Sequence, residues 1–195
     1  MPPFPGRLNN KKAAVLVPLI WGQDIEIVVT IRASKMRQHA GEVAFPGGRP
    51  DPGDSSLLAT AVREAEEEIG LEAYEPLGRL SSVPLYLSDY RMEPFVAAVP
   101  LQVFRPAPAE VEAIRFLSLG ELLSRPFIDV IPYVHHGVEH YFPVLDVGQR
   151  FMYGATAFTF LEVLTVLADA SGRKLPELRS GKYQWSDVRH GRVKG

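Results

Sequence analysis

The chain has 195 residues, 46% of them hydrophobic and 23% charged, a balance that suits one globular domain and excludes a disordered chain. Its formal net charge of −2 leaves no overall basic field to draw nucleic acid or an anionic membrane onto the surface, so any polyanion has to be met by a local cluster. Cysteine is absent, which removes disulfides, thiolate metal sites and cysteine nucleophiles from consideration.

Residues 1–12 read as an N-terminal extension without a stretch of signal-peptide length, and no apolar run in the chain is long enough to span a bilayer. The expected location is cytoplasmic. Ala13–Ile20 and Ile25–Ile31 are β-rich runs separated by the turn-like Trp21-Gly22-Gln23-Asp24, which predicts a hairpin. Arg32–Gly41 is polar and basic, with Arg32, Lys35, Arg37 and His39, and leads into a short strand over Glu42–Phe45 and the punctuation Pro46-Gly47-Gly48.

Asp51-Pro52-Gly53-Asp54 is turn chemistry, and Asp54, Ser55 or Ser56 can cap a helix running from Ser56 to Ile69, with Gly70 at its stop. Leu58, Val62, Ala65 and Ile69 form one apolar stripe, so this helix is amphipathic. Further strands are predicted at Leu77–Val83, Tyr90–Val99 and Ile114–Leu117, with a weaker one at Tyr141–Leu145. Ala155–Leu167 has helical length and composition, and residues 169–195 read as a polar C-terminal tail. Strands interleaved with helices predict an α/β or α+β layered domain over 13–168.

Glu64, Glu67 and Glu68 are related by i+3 and i+4, so the predicted helix directs three carboxylates to one face, roughly opposite the apolar stripe. Such like charges weaken a helix slightly until a divalent cation reverses the sign of the effect, and carboxylate oxygens suit Mg²⁺ or Mn²⁺. The plain alternative is a solvated acidic surface.

The surrounding residues decide between the two. Arg63-Glu64-Ala65-Glu66-Glu67-Glu68-Ile69-Gly70-Leu71, with Phe45-Pro46-Gly47-Gly48 upstream, resembles the box of the Nudix hydrolases, R-E-U-x-E-E-x-G-U with U apolar. The resemblance implies a Nudix-type α/β/α sandwich with a mixed β-sheet and a loop-helix-loop metal site. It also implies Glu64 and Glu68 as metal ligands, Glu67 as a third ligand or general base, Arg63 as the residue that orients the glutamates, and the Gly47 carbonyl as a further ligand. One departure stands out. The common spacing G-x5-E-x7-R puts Asp54 where a Glu belongs and leaves eight residues rather than seven before Arg63.

Thr30 to Gly48, with Arg32, Arg37, Gly41 and Phe45-Pro46-Gly47-Gly48 in register, is similar to the signature of the coenzyme A pyrophosphatase branch, with Val28-Val29 in place of its leading Leu-Leu. That implies a Mg²⁺- or Mn²⁺-dependent hydrolase cutting coenzyme A, and acyl or oxidised coenzyme A, to 3′,5′-ADP and 4′-phosphopantetheine. Arg32, Lys35, Arg37 and His39 are then the substrate-binding donors. Another nucleoside diphosphate derivative such as ADP-ribose, or a non-catalytic ligand sensor on the same fold, remains the alternative. Glu110 and Glu112 are candidates, beside Glu67, for the general base. His135, His136 and His140 read as loop residues, and Tyr86 and Tyr90 as core aromatics or a stacking surface for adenine.

Overall fold

The first strand carries the logic of the whole domain. In β1 (Lys11–Trp21), Ala14, Leu16 and Ile20 face one side of the sheet and Val15, Val17 and Leu19 the other, and both sets are buried. A strand covered on both faces reads as a continuous apolar run, which is what 13–20 shows. The computed structural model describes residues 9–36, 38–85 and 88–188.

The expected hairpin forms, with β2 (Ile25–Arg32) antiparallel to β1, and Asp24 closes its turn by accepting the Ile25 N–H at 2.8 Å. After the short strands β3 (Val43–Ala44) and β4 (Gly47–Gly48) comes helix α1 (Leu57–Ile69), then β5 (Glu75–Arg79), β6 (Val83–Pro84), β7 (Tyr90–Val99) and β8 (Val111–Ser118). The sheet runs β3-β2-β1-β7-β5, with β4 also on β1, β6 on β7 and β8 on β2. It is mixed, because β7 lies parallel to β1. The expected Leu77–Val83 strand is instead split between β5 and β6 by 80–82, where Leu80 and Ser81 bond outside the ladder, to Pro94 and Glu162.

Helix α1 begins where the sequence signals it. The Ser56 hydroxyl accepts the Ala59 N–H at 3.1 Å, and Gly70 ends the helix in the left-handed region at φ 67°, its N–H bonded to Glu66 O and that of Leu71 to Ala65 O. Ala61, Val62, Ala65 and Ile69 are buried against Ala14, Leu16, Val28, Ala97 and Val99. Burial of Val62 and Ile69 alone contributes about 1.5–3 kcal/mol each, enough to fix which way the helix faces. The other side of the sheet is covered by α2 (Leu119–Ser124) and α3 (Gly154–Ala170), which bury Leu119, Leu122, Leu123, Phe160, Val163 and Leu164. The α/β/α sandwich expected from the sequence is therefore the architecture observed.

A second sheet, β11-β10-β9-β12, is formed by β9 (Phe127–His135), β10 (Val138–Val147), β11 (Arg150–Met152) and β12 (Glu177–Ser180). Here the expectation is corrected: His135 and His140 lie on strands rather than loops, and His136 with Gly137 makes the hairpin turn at φ 49° and 75°. Asp129, Pro132 and Pro143 interrupt the alternation that marks a strand, which hides the hairpin in the sequence. The stretch read as a polar tail is tied down as well. β12 pairs in parallel with β9, and Tyr183, Trp185 and Val188, the last two in the short helix α4 (Trp185–Val188), pack with Phe142 and Phe151. Among the described residues no helix is long and apolar enough to cross a membrane.

Candidate metal centre

Two glycines allow the loop to enter the site at all. Gly47 and Gly48 pair with Val15 and Ala14 of β1, and the Pro46 carbonyl accepts the Leu16 N–H at 2.9 Å, so the loop is wedged between β1 and α1. A Cβ on Gly47, at φ 155°, would lie 2.3 Å from the Ala14 carbonyl, and one on Gly48 would lie 2.4 Å from Glu64 Oε1. Only glycine brings the backbone this close to a helix side chain.

The three glutamates do not converge equally. About 100° per residue places Glu67 roughly 60° to one side of Glu64 and Glu68 roughly 40° to the other. Glu68 turns under the loop, 3% exposed, and Glu64 lies beside it with a side chain 16% exposed. Glu67 turns outward, 61% exposed, and pairs only with Arg63 at 3.3 Å. Glu68 accepts the Gly47 N–H at 3.2 Å and faces Arg32 at 3.8 Å. Burial pushes the Glu68 carboxyl up to about 7 against the opposing pull of Arg32 and the Gly47 N–H, and burial also raises Glu64 despite its contact with Arg63. The charge of Glu110 adds to the upward push on both.

Arg63 holds this arrangement together. Its Nε donates to Asp54 Oδ1 at 3.0 Å, while Nη2 reaches Asp54 Oδ2 at 3.2 Å, the Arg49 carbonyl at 3.1 Å and Glu64 Oε1 at 3.0 Å. Asp54 also accepts the Asp51 N–H and the Thr60 hydroxyl, each at 2.8 Å. The Arg63 guanidinium, first among these donors, holds the Asp54 carboxyl far below the usual carboxylate range. The altered spacing from Gly48 thus leaves an acid in register with Arg63, the shorter Asp side chain reaching it from the loop.

Among the described residues no group of three or more His, Asp or Glu side chains is gathered to hold a metal ion. The donors that do meet are two carboxylates, Glu64 and Glu68, and the loop backbone at 47–48. Mg²⁺ commonly takes one or two carboxylates and fills its remaining positions with water and substrate phosphate, so this set fits. A buried carboxylate with one backbone donor and a distant guanidinium is the partner-poor anion that such a cation would satisfy.

The expected substrate-binding residues separate. Arg32, at the end of β2, reaches the site, and its Nε is buried without a hydrogen-bond partner. Lys35 lies exposed in the following turn, and Arg37 falls outside the described residues, as does Tyr86. His39, at φ 58°, points its Nδ1 to Glu42 Oε2 at 2.9 Å. This bond raises the His39 pKa; at Glu42 burial pushes upward, but His39, the Tyr153 hydroxyl and Arg32 together outweigh it and lower the carboxyl. The same carboxylate accepts the Tyr153 hydroxyl at 2.9 Å, and Gly41, at φ 72°, lies against the Arg150 guanidinium, where a Cβ would come within 2.4 Å of it. Arg150 in turn holds Glu112 at 3.3 Å. Glu42 sits inside the motif that marks the basic stretch, but Arg150 and Tyr153 carry no signal of a role there, because they arrive from far along the chain, Arg150 in β11 and Tyr153 at the N-terminal cap of α3.

A family model described as the NUDIX domain matches residues 10–134. A protein of Yersinia pestis (strain Pestoides F), named "Uncharacterized Nudix hydrolase NudL", is 38% identical over 153 residues, covering 76% of each chain. Among solved structures, the MutT protein from Methanosarcina mazei Go1 aligns with a TM-score of 0.51 at 16% identity, over 84% of this chain and 96% of that one. The Nudix hydrolase RenU from M. smegmatis aligns at 0.50 and 18% identity, over 83% and 86%. At these identities the two structures show a shared fold.

Proposed function

The chain belongs to the Nudix hydrolase family, and on that premise we propose that it is a Mg²⁺- or Mn²⁺-dependent pyrophosphatase that hydrolyses coenzyme A to 3′,5′-ADP and 4′-phosphopantetheine. The observation that carries the reading is the buried Glu68 carboxylate, set beside Glu64 under the Gly47-Gly48 loop and facing the half-buried Arg32. When bound, a divalent cation there acidifies a water and neutralises charge on the departing phosphate.

The chain's own residues do the rest. Glu64, Glu68 and the Gly47 carbonyl would hold the cation, and Arg63 orients Glu64 through the contact at 3.0 Å. Arg32 donates to the pyrophosphate, which gives its unpartnered Nε an acceptor. Water attacks one phosphorus, the bridging P–O bond breaks, and the bridging oxygen leaves with the other phosphate. Glu110, exposed like Glu67, takes the proton from the water, since its charge acts on both Glu64 and Glu68, whereas Glu67 is paired with Arg63 and Glu112 with Arg150. Lys35, Arg37 and His39 complete the substrate loop, with His39 acting through Glu42.

Incubation with coenzyme A and Mg²⁺, with both products identified by mass, tests this directly. The expected result is 3′,5′-ADP with 4′-phosphopantetheine, and a loss of at least about 100-fold in turnover for Glu68→Gln with an unchanged circular dichroism spectrum. Release of other nucleotides from ADP-ribose or nucleotide sugars, with coenzyme A left intact, would replace the substrate assignment. Tight binding of coenzyme A without hydrolysis would point to a sensor.

A further inference from the structure

Beyond Arg63 lies a second group of cations that the pyrophosphate site does not use. The guanidinium of Arg49 lies over the Tyr90 ring, 4.8 Å from its centroid, and the Lys11 ammonium sits 5.7 Å from the same centroid. Neither makes an ion pair, although the described residues include all 23 acids of the chain. Their neighbours differ in this respect: Arg91 and Arg79 share the buried Glu93, at 2.7 and 3.7 Å. Two positive charges gathered on one ring without a counter-charge repel each other, and an aromatic face offsets this only weakly at the surface.

The group is also rigidly placed. The Arg49 carbonyl accepts Arg63 Nη2, the same nitrogen that contacts Glu64, so a single guanidinium links this residue to the metal-site carboxylate. Tyr90 and Lys11 are paired across β7 and β1, the Lys11 N–H bonds to the Asp89 carbonyl at 3.1 Å, and the Asn9 amide donates to the carbonyls of Leu85, Ser88 and Tyr90. A guanidinium stacked by its face keeps its N–H edge free, and that edge with a nearby ammonium matches the geometry of a phosphate.

We propose that Arg49 and Lys11, held on Tyr90, form a second phosphate subsite that takes a phosphomonoester carried on the substrate, apart from the pyrophosphate beside Glu64 and Glu68. The carrier rests on the coenzyme A reading, whose 3′-phosphate is such a group; the subsite itself rests on the unpaired cations.

Calorimetric titration with 3′,5′-ADP, 5′-AMP and inorganic phosphate, in metal-free buffer, reads the subsite without turnover. The wild-type chain is expected to bind 3′,5′-ADP about tenfold more tightly than 5′-AMP. Arg49→Ala and Lys11→Ala should each cut that preference to about threefold or less while leaving 5′-AMP affinity unchanged, and Arg49→Lys, which keeps the charge but loses the planar fork, should fall between Arg49→Ala and the wild type. Both residues are exposed, and matched melting temperatures check the fold. An undiminished preference in both alanine variants, or none in the wild type, overturns the subsite. Inorganic phosphate binding as tightly as 3′,5′-ADP overturns its assignment to a carried group. Coenzyme A turnover, measured separately, distinguishes the two proposals: intact coenzyme A with a preference that depends on Arg49 removes the substrate reading alone, and turnover with a preference indifferent to Arg49 removes the subsite alone.

Discussion

The glutamate helix and the basic loop before it are adjacent in sequence and similarly rich in charge, yet they are held in different ways. Arg63 joins Asp54, the Arg49 carbonyl, Glu64 and Glu67 into one network. Among the described residues from Arg32 to Glu42, Ser34, Lys35, Gln38, His39 and Ala40 are exposed, and the loop is fixed from outside, by Arg150 of the second sheet, by Tyr153 at the N-terminal cap of α3 and by the Glu110 carbonyl, which accepts the Ala33 N–H at 2.7 Å. The proposed metal site asks for rigid geometry and the proposed substrate loop for adjustability, and the two regions are held accordingly, one by a local helix network and the other by long-range contacts.

Substitutions within the helix network should have the largest effects. Gly48→Ala puts a Cβ into the space of the Glu64 carboxylate, so turnover is expected to fall by about 100-fold or more, while thermal unfolding shows the fold retained. Arg63→Lys keeps the charge but cannot reach Asp54, Arg49 and Glu64 together. A drop of about 10- to 100-fold in kcat should follow, and activity close to wild type would show that the network is not needed for positioning.

Glu67 sharpens the comparison from within one helix. Exposed and paired only with Arg63, it should tolerate Glu67→Gln with less than about a threefold change in turnover, whereas Glu68→Gln is severe. Equal losses in the two variants would restore the three-carboxylate site that helical spacing suggests.

The smallest effect belongs to the basic loop. The bond to Glu42 raises the His39 pKa, so its contribution to stability is complete below the ordinary value of 6.5 and disappears as pH rises through the raised one. Glu42, lowered, contributes fully above 4.5 and loses that contribution as pH falls through its lowered value. The pair is therefore strongest between pH 4.5 and 6.5. His39→Gln should lower the melting temperature slightly at pH 6 and leave it unchanged at pH 9.

Much of the site was legible in the sequence because its determinants are local. Ser56, Gly70 and the stripe of Val62, Ala65 and Ile69 define α1, and the Gly47-Gly48 pair marks the loop that must pass close to it. Helical spacing could not tell that Glu68 is buried and Glu67 is not, since that depends on how far α1 is rotated against β1. Arg150 and Tyr153 carry no such signal for a related reason: they lie more than a hundred residues from the loop they clamp, Arg150 in β11 and Tyr153 at the N-terminal cap of α3. The departure at Asp54 is one of spacing and side-chain length, and in the fold Asp54 anchors Arg63.

The central claim is that Glu68, buried beside Glu64, holds a divalent cation. Titrating Mn²⁺ into wild-type, Glu67→Gln and Glu68→Gln chains, with free Mn²⁺ followed by its electron paramagnetic resonance signal, measures this without any substrate. The account predicts binding by the first two and a loss of at least about tenfold in affinity for the third. Equal Mn²⁺ affinity in wild-type and Glu68→Gln chains would contradict it.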